Sequence, residues 1–446
     1  MNMKIPMLLV LSAVAFAAFA DAPSAPLVSN VSIIEQSPKK VVVAYDLANE
    51  DAIITLDILT NGVPVSKALV AKYTTGDAFK VVAAGSGRKV AVWNARDAIP
   101  GVRASQNVVA TARVTAWKKG APPDYYVLDL TDGSKAFYET EECLPEGVDS
   151  DIYRTTKMVF RRIHAAGKSF MMGAPDAETT AANCNQDHHG YETLHEVAFS
   201  TDFFLGIFEV TQAQWINVQG EIPNSPKWTQ DAWQMVQSFT NEKGTLPIQS
   251  CGRGRWLCGE ENKEKPWNGN VTDSKHPTFF QHLRSKAGAG SMYNLPTEAW
   301  WEYACRAGHE TVFGDGRDYN ASTAYSDIAR YNSTDAGPLR VGSLKPNAWG
   351  LYDMHGNMAE NVVDNVENRG KLKTAGVVEA DAYYAQDRTD PHGLDDYNTY
   401  SLTTVRGGSW TSNPSDLRCA WRQANFWYGS KPNYFGFRVA CPIDQW

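Results

Sequence analysis

The sequence predicts two units of different class: a small all-β sandwich of the immunoglobulin or fibronectin kind over residues 27–118, and a larger loop-rich domain over 158–444. Three observations carry this. Short β-rich runs recur through 27–118 with no helical period between them. Residues 118–123, KKGAPP, read as a linker. Twelve of the fourteen tryptophans then lie beyond residue 158, among many glycines, asparagines and prolines, the composition of a domain pinned by buried aromatics.

In chain order, the N-terminus comes first. Lys4 precedes an apolar run over residues 7–19, and Ala18-Phe19-Ala20 is a small-x-small site, so residues 1–20 are expected to be a secretory signal peptide cleaved before Asp21. The run is short for a membrane span and nothing later resembles one. The expected location is therefore exported: periplasm, cell surface or secreted. The mature chain would carry 41 basic against 50 acidic residues, and no basic stretch with interleaved aromatics, so nucleic acid is not expected as a partner. A hydrophobic content of 43% supports packed cores.

Strands are expected at 41–45, at 53–58 ending on the turn signal Asn61-Gly62, at 90–93 and at 108–117, where Thr111, Arg113 and Thr115 alternate with Ala112, Val114 and Ala116. Residues 119–157 follow as linker and a connecting strand near 125–130. In the larger domain two short helices stand out, 211–219 and 297–307, the second with Thr297 as cap and Gly308 as stop. Seven cysteines, at 143, 184, 251, 258, 305, 419 and 441, leave at least one thiol unpaired. Cys251 and Cys258 flank a glycine-containing loop that suits a local disulfide or two free thiols better than zinc, for which no second pair completes four ligands.

Six motifs occur in order beyond residue 158. They are Ser169-Phe170-Met171-Met172-Gly173, residues 203–211 (FFLGIFEVT), residues 295–308 (LPTEAWWEYACRAG), residues 346–357 (PNAWGLYDMHGN), Arg406-Gly407-Gly408-Ser409-Trp410, and Gly436-Phe437-Arg438-Val439-Ala440. Together this region resembles the formylglycine-generating enzyme, or sulfatase-modifying factor, family. The resemblance implies an irregular α+β fold related to C-type lectins, preceded here by the sandwich.

Enzymes of that family convert a sulfatase cysteine to formylglycine with oxygen and a copper ion held by two cysteines, in a segment reading R-G-G-S-x-x-C-x-x-x-x-C. Cu(I) is soft and prefers sulfur. Here Ser412 and Leu417 occupy the two cysteine positions, so copper is not expected and no catalytic residue is assigned. Cys419 is the one thiol close by in sequence, and no neighbouring cysteine pair is expected to restore the site. His188, His189 and His195 cluster but read as surface-loop histidines rather than the three-histidine iron site of a sibling branch. The resemblance also implies calcium, held by Asp353, the carbonyls of Gly356 and Met358, and Glu360, all hard oxygen donors as calcium requires. Glu298, Glu302, Arg306, Arg406, Arg422 and Arg438 are expected to form buried ion pairs that fix loops.

The C-terminal segment places aromatics among small polar residues: Asn425, Phe426, Trp427, Tyr428, Asn433 and Tyr434 are candidates for a ligand surface, where rigid rings supply area and small groups adapt. The sequence reading is therefore an exported binding module for a glycan or protein, with a sulfatase among the partners to consider. The alternative is an oxidase that matures exported sulfatases.

Overall fold

The computed structural model describes residues 25–443 except 86, 101–108, 183–191, 220–243, 250–277, 321, 334–336, 368–388, 392–400 and 426–433. The expected signal peptide, Cys184, Cys251, Cys258, His188 and His189 lie outside the described residues, as do Phe426, Trp427, Tyr428 and Asn433.

The N-terminal region holds β1 (Leu27–Gln36), β2 (Val41–Ala48), β3 (Ala52–Thr60), β4 (Val63–Pro64), α1 (Lys67–Lys72), β5 (Thr74–Gly76), β6 (Val81–Val82), β7 (Lys89–Trp93), α2 (Ala95–Ala98) and β8 (Ala110–Lys118). One sheet has the order β1-β2-β7-β5; in the other, β3 pairs with β4 and β6 along one edge and with β8 along the other. Asn61 and Gly62 both take positive φ, the conformation a two-residue hairpin turn demands, and Thr60 pairs with Val63 across it. Val41 and Val43 of β2, Leu56 and Ile58 of β3, and Trp93 of β7 bury a core common to both sheets. The helices α1 and α2 interrupt the run of strands, a departure from the all-β expectation; each is one or two turns long, too short for an apolar period to register.

From residue 125 the fold is α+β. Strands β9 (Tyr125–Asp129) and β10 (Lys135–Tyr138) precede α3 (Ile152–Thr155), β11 (Lys157–Ile163), β12 (Ser169–Met172), α4 (Asp176–Ala181), β13 (His195–Ala198) and β14 (Phe203–Gly206). Then come α5 (Gln212–Gln219), α6 (Phe279–Ala287), α7 (Glu298–Arg306), β15 (Ala329–Arg330), β16 (His355–Gly356), β17 (Ala359–Glu367), β18 (Ser401–Arg406), β19 (Arg422–Asn425), β20 (Phe435–Gly436) and β21 (Ala440–Pro442). A five-stranded sheet runs β10-β9-β11-β14-β21, bringing the end of the chain beside its middle. A second sheet, β19-β18-β17-β20, carries the later motifs.

Aromatic stacking fixes these layers. Phe203 lies flat on Trp300 with ring centroids 4.2 Å apart, joining β14 to α7, and Tyr126 stacks on Phe160 at 4.6 Å across β9 and β11. The N-terminal sheets dock on the same body: the Phe137 N–H donates to the Phe79 carbonyl at 2.9 Å, and Thr55 donates to Glu139 at 2.9 Å.

Candidate functional site

The site is built around α7, whose sequence explains both its ends. The Thr297 hydroxyl accepts from the Trp300 N–H at 3.1 Å, Ala307 takes the left-handed conformation, and Gly308 follows with positive φ. Within it, Glu298, Trp301, Glu302, Cys305 and Arg306 recur three or four residues apart and are all buried. This inward face carries charge because every carboxylate meets a guanidinium. Arg406 donates to Glu298 at 3.0 Å and to Glu302; Arg306 donates to Glu302 at 2.8 and 2.9 Å; Arg422 donates to Glu298 at 2.5 Å through Nε. The ion pairs expected from sequence are present. They bind α7 to β18 and β19 across about 100 residues of chain.

Beyond β18, Gly407 and Gly408 both adopt positive φ, and a Cβ on Gly408 would sit 2.7 Å from the Asp416 carbonyl. These glycines let the chain fold back so that residues 409–419 pass under α7. There the two positions matched to the copper cysteines diverge. Ser412 is half-buried and its Oγ accepts from the Ser409 N–H at 3.0 Å. Leu417 is fully buried beside Val312, Phe313 and Tyr325, a core residue with nothing to offer a metal.

One feature escaped the sequence reading. Cys305 Sγ lies 3.4 Å from Cys419 Sγ, and His355 Nε2 lies 3.9 Å from Cys305 Sγ, all three residues buried. The expectation that no cysteine pair forms near position 419 is thus corrected: the partner is 114 residues distant in sequence, on the inner face of α7. Its only sequence signal was Cys305 falling three residues after Glu302 on the charged face. Cys441 stands elsewhere, 3.2 Å from the Tyr126 hydroxyl, and like Cys419 is a free thiol. Burial pushes the Cys305 thiol well up, and burial pushes His355 down to about 4, leaving its imidazole neutral at pH 7.

The segment 353–360 runs beside this cluster. Both oxygens of Glu360 are bound by Arg438, at 2.6 and 2.7 Å, and Trp301 Nε1 adds a third bond at 2.9 Å. Asp353 accepts from the Gly342 N–H at 2.6 Å, and burial raises its carboxyl to about 6. Gly356 has positive φ with the Arg330 carbonyl 2.3 Å from where a Cβ would stand, so a side chain is excluded. Met358 is buried and its N–H donates to Glu209, itself pushed well up by burial and by the neighbouring Asp353 and Glu360. The donors fit calcium in kind, but an ion would share Glu360 with Arg438.

Of the candidate ligand surface, Asn425 ends β19 and Tyr434 is half-buried, its ring edge-on to Phe435 at 4.9 Å. His195 bonds the Thr193 carbonyl at 2.7 Å through Nδ1. Among the described residues no helix is long and apolar enough to cross a membrane.

A family model described as a sulfatase-modifying factor enzyme 1-like domain matches residues 154–443. The formylglycine-generating enzyme of Streptomyces coelicolor is 32% identical over 164 residues, covering 34% of this chain and 47% of that protein. The chaperone protein LppX of Paenibacillus barcinonensis is 28% identical over 185 residues, covering 36% of this chain and 61% of that one. The serine/threonine-protein kinase pkn1 of Chlamydia pneumoniae is 34% identical over 176 residues, covering 38% of this chain and 25% of the kinase. The chain thus spans less than two thirds of each of these relatives. Among solved structures, Treponema denticola variable protein 1 aligns over 64% of this chain and 96% of its own at 20% identity and TM-score 0.43. PvdO from Pseudomonas aeruginosa aligns over 64% and 94% at 22% identity and TM-score 0.42. With nearly two thirds of its length matched by the family model, the chain belongs to the sulfatase-modifying factor enzyme 1-like domain family.

Proposed function

We propose that this protein is a non-oxidase member of the family, an exported module that binds a glycan or protein through its C-terminal loops. The observation that carries the reading is the pair Ser412 and Leu417. One is a hydroxyl held by a backbone N–H and the other a hydrocarbon buried in a core, where the oxidase chemistry needs two thiolates. The N-terminal sheets, read as an immunoglobulin- or fibronectin-like sandwich, would serve as spacer or docking module. Calcium at Asp353, Gly356, Met358 and Glu360 belongs to the same proposal, as the cation that would brace the segment beneath those loops.

The alternative, maturation of an exported sulfatase, draws on the likeness to the Streptomyces enzyme. It would have to use Cys305 and Cys419, whose sulfurs lie in the core beyond reach of a peptide thiol. Incubating the purified mature chain with a C-x-P-x-R peptide, copper and oxygen separates the two. Mass spectrometry is expected to find the cysteine unchanged; formylglycine at a rate comparable to a genuine family enzyme would overturn the proposal. Binding on a glycan array or in a pull-down, lost in Trp427→Ala and Tyr434→Ala, is the positive arm.

A further inference from the structure

We propose that Cys305, His355 and Cys419 form a closed structural site for one thiophilic d10 metal ion, Cu(I) or Zn(II). The ligand atoms all lie within 4.8 Å of one another, the sole such group of three His, Cys, Asp or Glu side chains among the described residues. An ion about 2.0–2.3 Å from each nitrogen and sulfur holds its ligands roughly 3.3–3.9 Å apart. The sulfurs stand 3.4 Å apart, and Cys305 Sγ is nearly equidistant from the two imidazole nitrogens, 3.9 Å from Nε2 and 4.0 Å from Nδ1, so the Cys305 side chain must swing toward the Nε2 lone pair to complete the shell.

The imidazole is already oriented for this role. His355 Nδ1 donates to the Leu417 carbonyl at 2.7 Å, which fixes the tautomer and leaves the Nε2 lone pair free to accept. A second ring nitrogen bonded to a carbonyl is the usual support of a metal-binding histidine. Nε2 now accepts from the Gly314 N–H at 3.1 Å, a single neutral bond that a metal bond would replace. Two thiolates would bring negative charge into the core, where the Arg406 guanidinium already donates to the Cys419 carbonyl at 2.8 Å.

The ligands come from α7, from β16 and from the loop behind Leu417, three pieces that share no sheet. An ion there would tie them at one point in the buried core, out of reach of a macromolecular ligand, so the site is independent of the binding proposal. Three ligands complete a Cu(I) shell and leave tetrahedral Zn(II) one short, which the two metals tested separately will distinguish. Because all three ligands are buried, the ion must enter during folding.

The test uses the full chain produced in medium supplied with copper or with zinc, desalted under reducing conditions, with metal measured per chain. One equivalent is expected, lost in Cys305→Ser and in Cys419→Ser and kept in Cys143→Ser and in the Cys251→Ser/Cys258→Ser double variant. If the serine variants fail to fold, X-ray absorption on the loaded wild type decides: two sulfur neighbours and one nitrogen support the site. The proposal is overturned by absence of bound metal, by metal that follows Cys251 and Cys258 instead, or by a shell without two sulfurs. It also fails if the freshly isolated chain is two mass units light with Cys305 and Cys419 in one cross-linked peptide, since that disulfide would consume both ligands.

Discussion

Glu302→Gln separates buried from exposed ion pairing in one molecule. The Glu302 carboxylate accepts from Arg306 at 2.8 and 2.9 Å, from Arg406, and from the Gly173 N–H at 2.9 Å, and it is fully buried. The surrounding charges are Arg306, Arg406 and Arg422 against Glu298 and Glu302, so removing one carboxylate leaves three guanidiniums facing a single anion. The isosteric amide keeps the volume but turns an NH2 toward one of the cations. Breaking a buried pair this way costs about 3–5 kcal/mol. At roughly 2–4 °C per kcal/mol for a domain of this size, the melting temperature should fall by about 6–20 °C. Arg113→Met is the control. Its partner Asp57 is within 2.5 Å, yet the Arg113 side chain is 69% exposed, and such a pair contributes about 1 kcal/mol at most. Calorimetry and urea titration of both variants read the difference. Equal shifts in the two would refute the claim that burial of the network, rather than its contact distances, sets the cost.

Three further expectations follow from the same structure. Thr278 and Gln281 form a reciprocal capping box at the start of α6, so Thr278→Ala should cost about 1 kcal/mol in urea titration, and Thr278→Ser should recover most of it. Burial alone would raise the carboxyl of Asp202, but the N–H of Ala166 and the guanidinium of Arg162 outweigh it and hold it below the ordinary range. Its stabilisation is present above the unfolded-state value near 3.9 and is lost as the pH falls through the lower folded-state value, so Asp202→Asn should be destabilised by about 1–3 kcal/mol at pH 7 and converge on the wild type only as the pH falls below that folded-state value. If calcium joins Asp353 and Glu360, the melting temperature should rise with millimolar calcium over chelator and the rise should vanish in Glu360→Ala; no shift would mean that Arg438 alone serves as the cation there.

How much of this was legible in the sequence follows from the range of the interactions concerned. Local signals read through directly: Asn61-Gly62 gave the β3–β4 turn, and Thr297 with Gly308 bounded α7 to within a residue. The capping box that opens α6 is equally local, Thr278-x-x-Gln281 before an amphipathic stretch that stops at Gly288. The charged motif residues were legible as ion pairs because an inward helix face cannot carry Glu298, Glu302 and Arg306 unless cations and anions match. Which guanidinium meets which carboxylate was not, since Arg406 and Arg422 arrive from strands more than 100 residues away.

The same limit governs the sulfurs, and it separates two questions that the R-G-G-S motif had joined. Spacing within one segment showed that Ser412 and Leu417 cannot supply a copper pair, a conclusion that needs only the identity of two residues. Whether any thiol pair exists nearby needs the path of α7, because a helix brings every third or fourth residue to one face and Cys305 shares that face with Glu302. The fold places it against Cys419, with the Leu417 side chain filling one core while the Leu417 carbonyl orients His355. The positions matched to the family's copper pair, Ser412 and Leu417, and the site proposed at Cys305, His355 and Cys419 would therefore be distinct uses of one loop, because they share backbone and no ligand.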